Sequence, residues 1–181
     1  TRVNGGEEKY KFWWSGSEKG RNGVGIMAKE DLVTLEVIEV KRLDDRMMKI
    51  AILCGRKILH FFSVYAPQQG RPDEKSREFL EKLSDNIHDI PQEDLLMVAG
   101  DTKCHTGSTR DGFEDVMGSF SFVVRNQEGE NMLGLCQEHN LRVMSSQFFY
   151  YRKRRENLIS FKRKGEMKVR SIMCCVEDTK N

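Results

Sequence analysis

A layered α+β sandwich is the architecture this sequence predicts, and three observations predict it. Short apolar runs with turn residues between them fill the first 66 positions. Two later segments repeat apolar residues at helical spacing instead. Between them lies Leu95–Ala99, a wholly apolar run short enough for a buried central strand. The predicted order is β-β-β-β-β-α-β-loop-α-β-β-β, and mixed strands with two interspersed helices suit packed layers.

The strands come first. Tyr10–Trp14 is aromatic-rich and stops at Gly16. Val24–Ala28 follows Gly20-Arg21-Asn22-Gly23, whose Asn-Gly pair signals a hairpin turn. Leu35–Val40 mixes apolar and acidic residues as a half-buried strand should. Met47–Leu53 and Ile58–Ala66 flank Gly55-Arg56, a second hairpin candidate. Pro67 to Pro72 is a loop, and Asp73 is placed to cap the helix after it. In that helix Phe79, Leu80, Leu83, Ile87 and Ile90 form one apolar face, and Pro91 ends it. The buried run stops at Gly100-Asp101, and a loop over 102–126 follows. Asn126 is placed to cap a second helix bearing Met132, Leu133, Leu135, Cys136 and His139. Leu141–Ser145 is the next expected strand, and Ile159–Phe161 with Val169–Cys174 a closing hairpin.

Composition bounds the function. The chain has 181 residues, 38% hydrophobic and 32% charged, which suits a single domain over 1–181 with its own core. No apolar run is long enough for a membrane helix and no secretory signal opens the sequence, so an intracellular, nuclear or cytoplasmic protein is expected. Five cysteines lack any C-x-x-C pairing and four histidines lack ligand spacing, so no structural metal site is expected. Net charge is +2, but nine Lys or Arg fall between Arg152 and Arg170 against Glu156 and Glu166. That local net of +7 leaves −5 for the remainder. Arg152, Lys153, Arg154 and Arg155 are thus candidate contacts for a phosphate backbone, or else a solvated face.

Chemistry concentrates where Asp101 ends the buried run. A carboxylate at the end of a central strand sits at the mouth of a sheet. Asp101, Lys103 and His105 alternate, so an extended segment would turn all three to one side. An Asp with a His there could activate water, and a capped loop with a salt bridge is the plainer alternative. Tyr65, in Ser63-Val64-Tyr65-Ala66-Pro67-Gln68, could donate to a phosphate or simply pack at the core edge. Arg21 and Asn22 could touch a phosphate from their turn, and Arg46 could pair internally.

Together these stretches resemble the endonuclease domain of RTE-type non-LTR retrotransposons. Phe12–Gly16, Arg21–Ile26, Val40–Met47, Ser63–Gln68, Gly100-Asp101 with His105 and Gly107, Arg110–Glu114 and Arg125–Gly129 carry the resemblance, in order, over nearly the whole chain. It implies a four-layered α/β sandwich of two mixed β-sheets flanked by helices, and Mg²⁺-assisted hydrolysis of DNA. By position Asp101 resembles the water-activating Asp and Tyr65 the phosphate-contacting Tyr. The family motif Gly-Asp-x-Asn has Lys103 in place of its Asn, and Ser171 stands where a hairpin Asp is found. The family's opening strand with its metal-binding Glu would precede Thr1, and its closing strand with the catalytic His would follow Asn181. The expectation is therefore an impaired nuclease domain that keeps some affinity for DNA and holds Mg²⁺ weakly or not at all. An active Mg²⁺ endonuclease and a protein-interaction or structural module are the alternatives.

Overall fold

The computed structural model describes residues 2–5, 8–18, 20, 22–30, 36–68, 73–119, 124–147, 159–163, 166–169 and 172–177. Two compact units divide the chain: Thr1–Tyr65 with Ile90–Val98, and Ala66–Asp89 with Ala99–Asn181.

The first unit is a pair of facing sheets. Strands β1 (Arg2–Gly5), β2 (Glu8–Gly16) and β3 (Gly23–Lys29) form an antiparallel sheet in that order. Strands β4 (Glu36–Arg42), β5 (Met47–Cys54), β6 (Lys57–Tyr65) and the start of β7 (Leu95–Asp101) neighbour one another in sequence order. Alternation drives the packing. Val24 and Ile26 of β3 meet Met48 and Ile50 of β5 in one buried cluster, with Trp13, Val40, Ile52, Phe61 and Tyr65 packed against it. In β4 the strict alternation fails at a bulge between Val37 and Glu39, which leaves Ile38 unpaired and 51% exposed. The Gly55-Arg56 turn is the expected two-residue hairpin, since Cys54 pairs with Lys57. Gly55 has φ of 66° and Arg56 does not share it, the pattern of a turn that needs Gly first.

The second unit holds α1 (Asp73–His88), the end of β7, α2 (Gln127–Glu138), β8 (Leu141–Val143), β9 (Ile159–Arg163), β10 (Glu166–Val169) and β11 (Ile172–Glu177). Here β7, β11 and β8 are neighbours in that order, and β9 and β10 form a two-stranded sheet. Phe79, Leu83 and Ile87 bury one face of α1, and Met132, Leu133, Leu135 and Cys136 one face of α2. Ser84 and His139 join the two helices, Oγ to Nε2 at 2.7 Å.

The α+β class is as expected, and several details are not. Strand β1 was not anticipated. The β2–β3 connection is longer than a two-residue Asn-Gly turn, because the ladder closes at Gly16 and Gly23. The strand at Leu141 stops after Val143 and tightens into a 3₁₀ turn over Met144–Ser146. The last segment is not one hairpin: β9 turns back onto β10, while β11 lies antiparallel to β8, with Cys175 opposite Val143. Hydrophobic periodicity marks a strand and its faces but carries no record of which partner it will meet. Among the described residues no helix is long and apolar enough to cross a membrane.

One pH effect follows from the helix contact. Burial holds the His139 imidazole below its ordinary range, His88 adds to this, and Glu138 opposes it. A folded value below the unfolded one means that the unfolded chain takes up the proton first as pH falls. This contribution is present above the unfolded value of about 6.5 and is lost as pH drops through it. Thermal stability should therefore fall between about pH 7.5 and 5.5, a range above ordinary carboxylate titration. His139→Gln should flatten that slope; equal slopes in melts of the two proteins would remove His139 as its source.

Candidate functional site

Asp101 is delivered by the last residue of β7, whose carbonyl accepts the backbone N–H of Ala66 at 2.9 Å. The next residue, Thr102, is buried. Lys103 then takes a left-handed backbone, φ 56°, one of two non-glycine residues to do so among the described residues. This region costs an ordinary L-residue roughly 1 kcal/mol. Asn tolerates it better than Lys does, so the local backbone suits the residue that the resembling motif carries here.

The turn brings Lys103 back onto Asp101. The Lys103 backbone N–H donates to Asp101 Oδ1 at 3.3 Å, and its ammonium pairs with Oδ2. Both carboxylate oxygens thus face one residue, and both side chains are about one-third exposed or less. The extended segment expected from the alternation of residues 101, 103 and 105 is not formed; a positive φ at its middle residue breaks the alternation. Asp101 and Lys103 come together through a tight turn instead.

His105 is positioned by α2. The N-cap residue Asn126 accepts from Gly129 N at 2.8 Å, as anticipated, and with the same oxygen from His105 N at 2.9 Å. Its own N–H donates to the His105 carbonyl at 3.2 Å, and its amide reaches the Lys103 carbonyl at 3.4 Å. One side chain therefore caps a helix and brackets the segment that carries Lys103 and His105. Arg125 does the same for the rest of the loop. It donates to the carbonyls of Thr106 (2.9 Å) and Thr109 (2.7 Å), pairs with Glu130 (3.0 Å) and stacks over Phe113 at 4.7 Å. The stretches Arg110–Glu114 and Arg125–Gly129 thus frame the loop. Sequence alone gave Asn126 a cap and missed the bracket, because its loop partners lie about twenty residues away. Cys104, beside Asp101, is no nucleophile: burial pushes its thiol up to about 12, and Sγ donates to the Thr102 carbonyl.

Tyr65 and Asn22 belong to the first unit, and Arg46 links them. Its guanidinium donates to Asn22 Oδ1 (2.6 Å) and the Tyr65 carbonyl (3.2 Å) and lies 5.2 Å from the Tyr65 ring centre. Asn22 donates in turn to Asp45 at 2.7 Å. The structure thus gathers Asp101, Lys103 and His105 in one unit, and Tyr65 with Asn22 in the other. Arg21, Arg152, Lys153, Arg154, Arg155 and Ser171 lie outside the described residues.

Mg²⁺ takes oxygen ligands, usually one or two carboxylates with water and phosphate. Among the described residues no group of three or more His, Cys, Asp or Glu is placed to hold a metal, and the Asp101 carboxylate already holds an ammonium. Asp101 is the carboxylate of this site that would hold such an ion, and it is paired with Lys103.

The α+β fold matches that of several solved nuclease-type structures. The chain is similar to the endonuclease domain of TRAS1, a telomere-specific non-LTR retrotransposon (13% identity, TM-score 0.59, covering 93% of this chain and 67% of that one). It is similar to the AP endonuclease LMAP from Leishmania major (13%, TM-score 0.61, 93% and 62%) and to D. rerio TDP2 complexed with single-strand DNA product (14%, TM-score 0.57, 95% and 64%). The chain spans about two thirds of the length of these structures. No family model and no curated protein matches the sequence.

Proposed function

We propose that this chain is a nuclease-like domain of RTE-type retrotransposon origin, of the kind carried by ruminant craniofacial development protein 2, that has lost most hydrolytic activity and keeps affinity for DNA. The observation that carries this reading is the Lys103–Asp101 pair. Hydrolysis of a phosphodiester by water needs a base that orients the water and accepts its proton. A carboxylate with one oxygen on an ammonium and the other facing a backbone N–H must share its remaining lone pairs with any water it orients. Lys103 also displaces the amide that the resembling motif places beside the phosphorane charge. Loss of one such preorganised stabiliser costs roughly 10²–10³ in rate. The nuclease-type fold of the neighbours and the basic run at 152–170 support the DNA component.

The test is nicking of supercoiled plasmid in Mg²⁺, beside EDTA and Asp101→Ala controls. We expect no nicking above the Asp101→Ala background from protein whose circular dichroism shows it folded. Nicking that requires both the metal and Asp101 would overturn the loss of activity. Duplex binding in the same preparation should weaken steeply with salt. Neutralising residues 152–155 should lower it similarly on every sequence.

A further inference from the structure

We infer that Lys103 is a tethered substitute for a divalent cation: its ammonium holds the cation's place at Asp101 and keeps free divalent ions off that carboxylate. This deepens the nuclease-like reading and rests on its assignment of Asp101 as the carboxylate of the site.

The backbone aims the ammonium. Thr102 and Cys104, on either side of Lys103, are 2% and 9% exposed, and the Cys104 thiol donates to the Thr102 carbonyl. Both neighbours are thus fixed. Lys103 itself sits at φ 56°, its carbonyl faces the Asn126 amide at 3.4 Å, and His105 N donates to Asn126 Oδ1 at 2.9 Å. From that backbone the Lys103 N–H turns to Asp101 Oδ1 at 3.3 Å and the side chain reaches Oδ2. One turn therefore holds both the carboxylate and the cation that answers it.

Exposure decides how a free ion is kept out. The Lys103 and Asp101 side chains are 27% and 31% exposed. Solvent and its ions reach the carboxylate, so burial does not exclude them. Competition does. A cation two residues away along the chain acts at an effective concentration on the order of millimolar or above, whatever the medium holds. An entering divalent ion must displace it from Oδ2 and then sit beside its positive charge. An exposed pair alone is worth only a few-fold. Repulsion between the two cations adds to this, and about tenfold in all is expected. Asparagine at position 103 would remove both effects and suits the left-handed backbone better than lysine does.

The experiment is a Mn²⁺ titration of the whole chain, followed by paramagnetic broadening of backbone amide resonances in NMR spectra. The amides of Ala66, which donates to the Asp101 carbonyl, and of His105 report on this position. In Lys103→Asn they should broaden at about one tenth of the Mn²⁺ concentration that the unaltered protein requires. Adding Asp101→Ala to that variant should abolish the difference. Lys103→Arg keeps a cation and should behave as the unaltered protein, a rescue that a merely loosened turn would not give. Circular dichroism will show that each variant is folded. Equal midpoints in the unaltered protein and Lys103→Asn would overturn the inference. So would a Lys103→Arg variant that takes up Mn²⁺ as readily as Lys103→Asn. Broadening reads occupancy and not turnover, which separates the two readings. Equal midpoints without plasmid nicking would overturn the tethered cation alone, and nicking with the tenfold difference intact would overturn the loss of activity alone.

Discussion

Gly129→Ala is expected to destabilise the protein by about 3 kcal/mol or more, the upper end of what overpacking costs. In an exposed helix this substitution normally gains about 1 kcal/mol, so the sign depends on what the new methyl meets. At Gly129 it would lie 2.0 Å from the His105 carbonyl oxygen, 2.6 Å from its carbon and 3.0 Å from Asn126 Oδ1. Two of these are backbone atoms that no rotamer change can move. Relief requires α2 and the loop to separate, which breaks the bonds between Asn126 and His105 and frees the Lys103–His105 segment. Gly134, on the same helix, has no atom within 4 Å of its added Cβ. Gly134→Ala should therefore stabilise by up to about 1 kcal/mol. Urea melts of the two variants should move in opposite directions. A neutral Gly129→Ala would show that the loop yields cheaply and that α2 does not hold it.

Asp94→Ala is the second large effect, in the first unit. His60 and Asp94 are 8% and 7% exposed, and His60 Nε2 lies 3.0 Å from Asp94 Oδ2. Asp94 Oδ1 accepts the backbone N–H of Ile58 at 3.2 Å, and no partner for His60 Nδ1 is found among the described residues. Removing the carboxylate strands a second imidazole nitrogen and a backbone donor in a buried place. Breaking one side of a buried pair costs about 3–5 kcal/mol, and the lower figure is expected here. For a chain of this size about 3 kcal/mol is a fall in Tm of roughly 6–12 °C. Asp94→Asn keeps an oxygen for Ile58 and should lose far less. Calorimetry of the two variants separates the readings: similar losses would mean that the charge, and not the acceptor geometry, holds His60.

Much of this molecule was legible in order along the chain. The apolar face of α1, the Asn126 cap, the two-residue turn at Gly55 and the strand ending at Asp101 all follow from local rules. Each depends on residues within about four positions of one another, where spacing and backbone preference act directly. The departures share one cause. The 3₁₀ turn after Val143 packs where Ser146 accepts the N–H of Gly118, 28 residues away. The pairing of β11 with β8 and the bracket that Asn126 places on Lys103 and His105 are also contacts between distant segments. Sequence by itself determined the element types, the α+β class and the identity of Lys103 beside Asp101. Only the tertiary structure decided that Lys103 adopts a left-handed turn and closes on that carboxylate. A positive φ at a lysine is unfavourable in isolation, and it persists because Asn126 and α2 hold the segment from the other side of the loop.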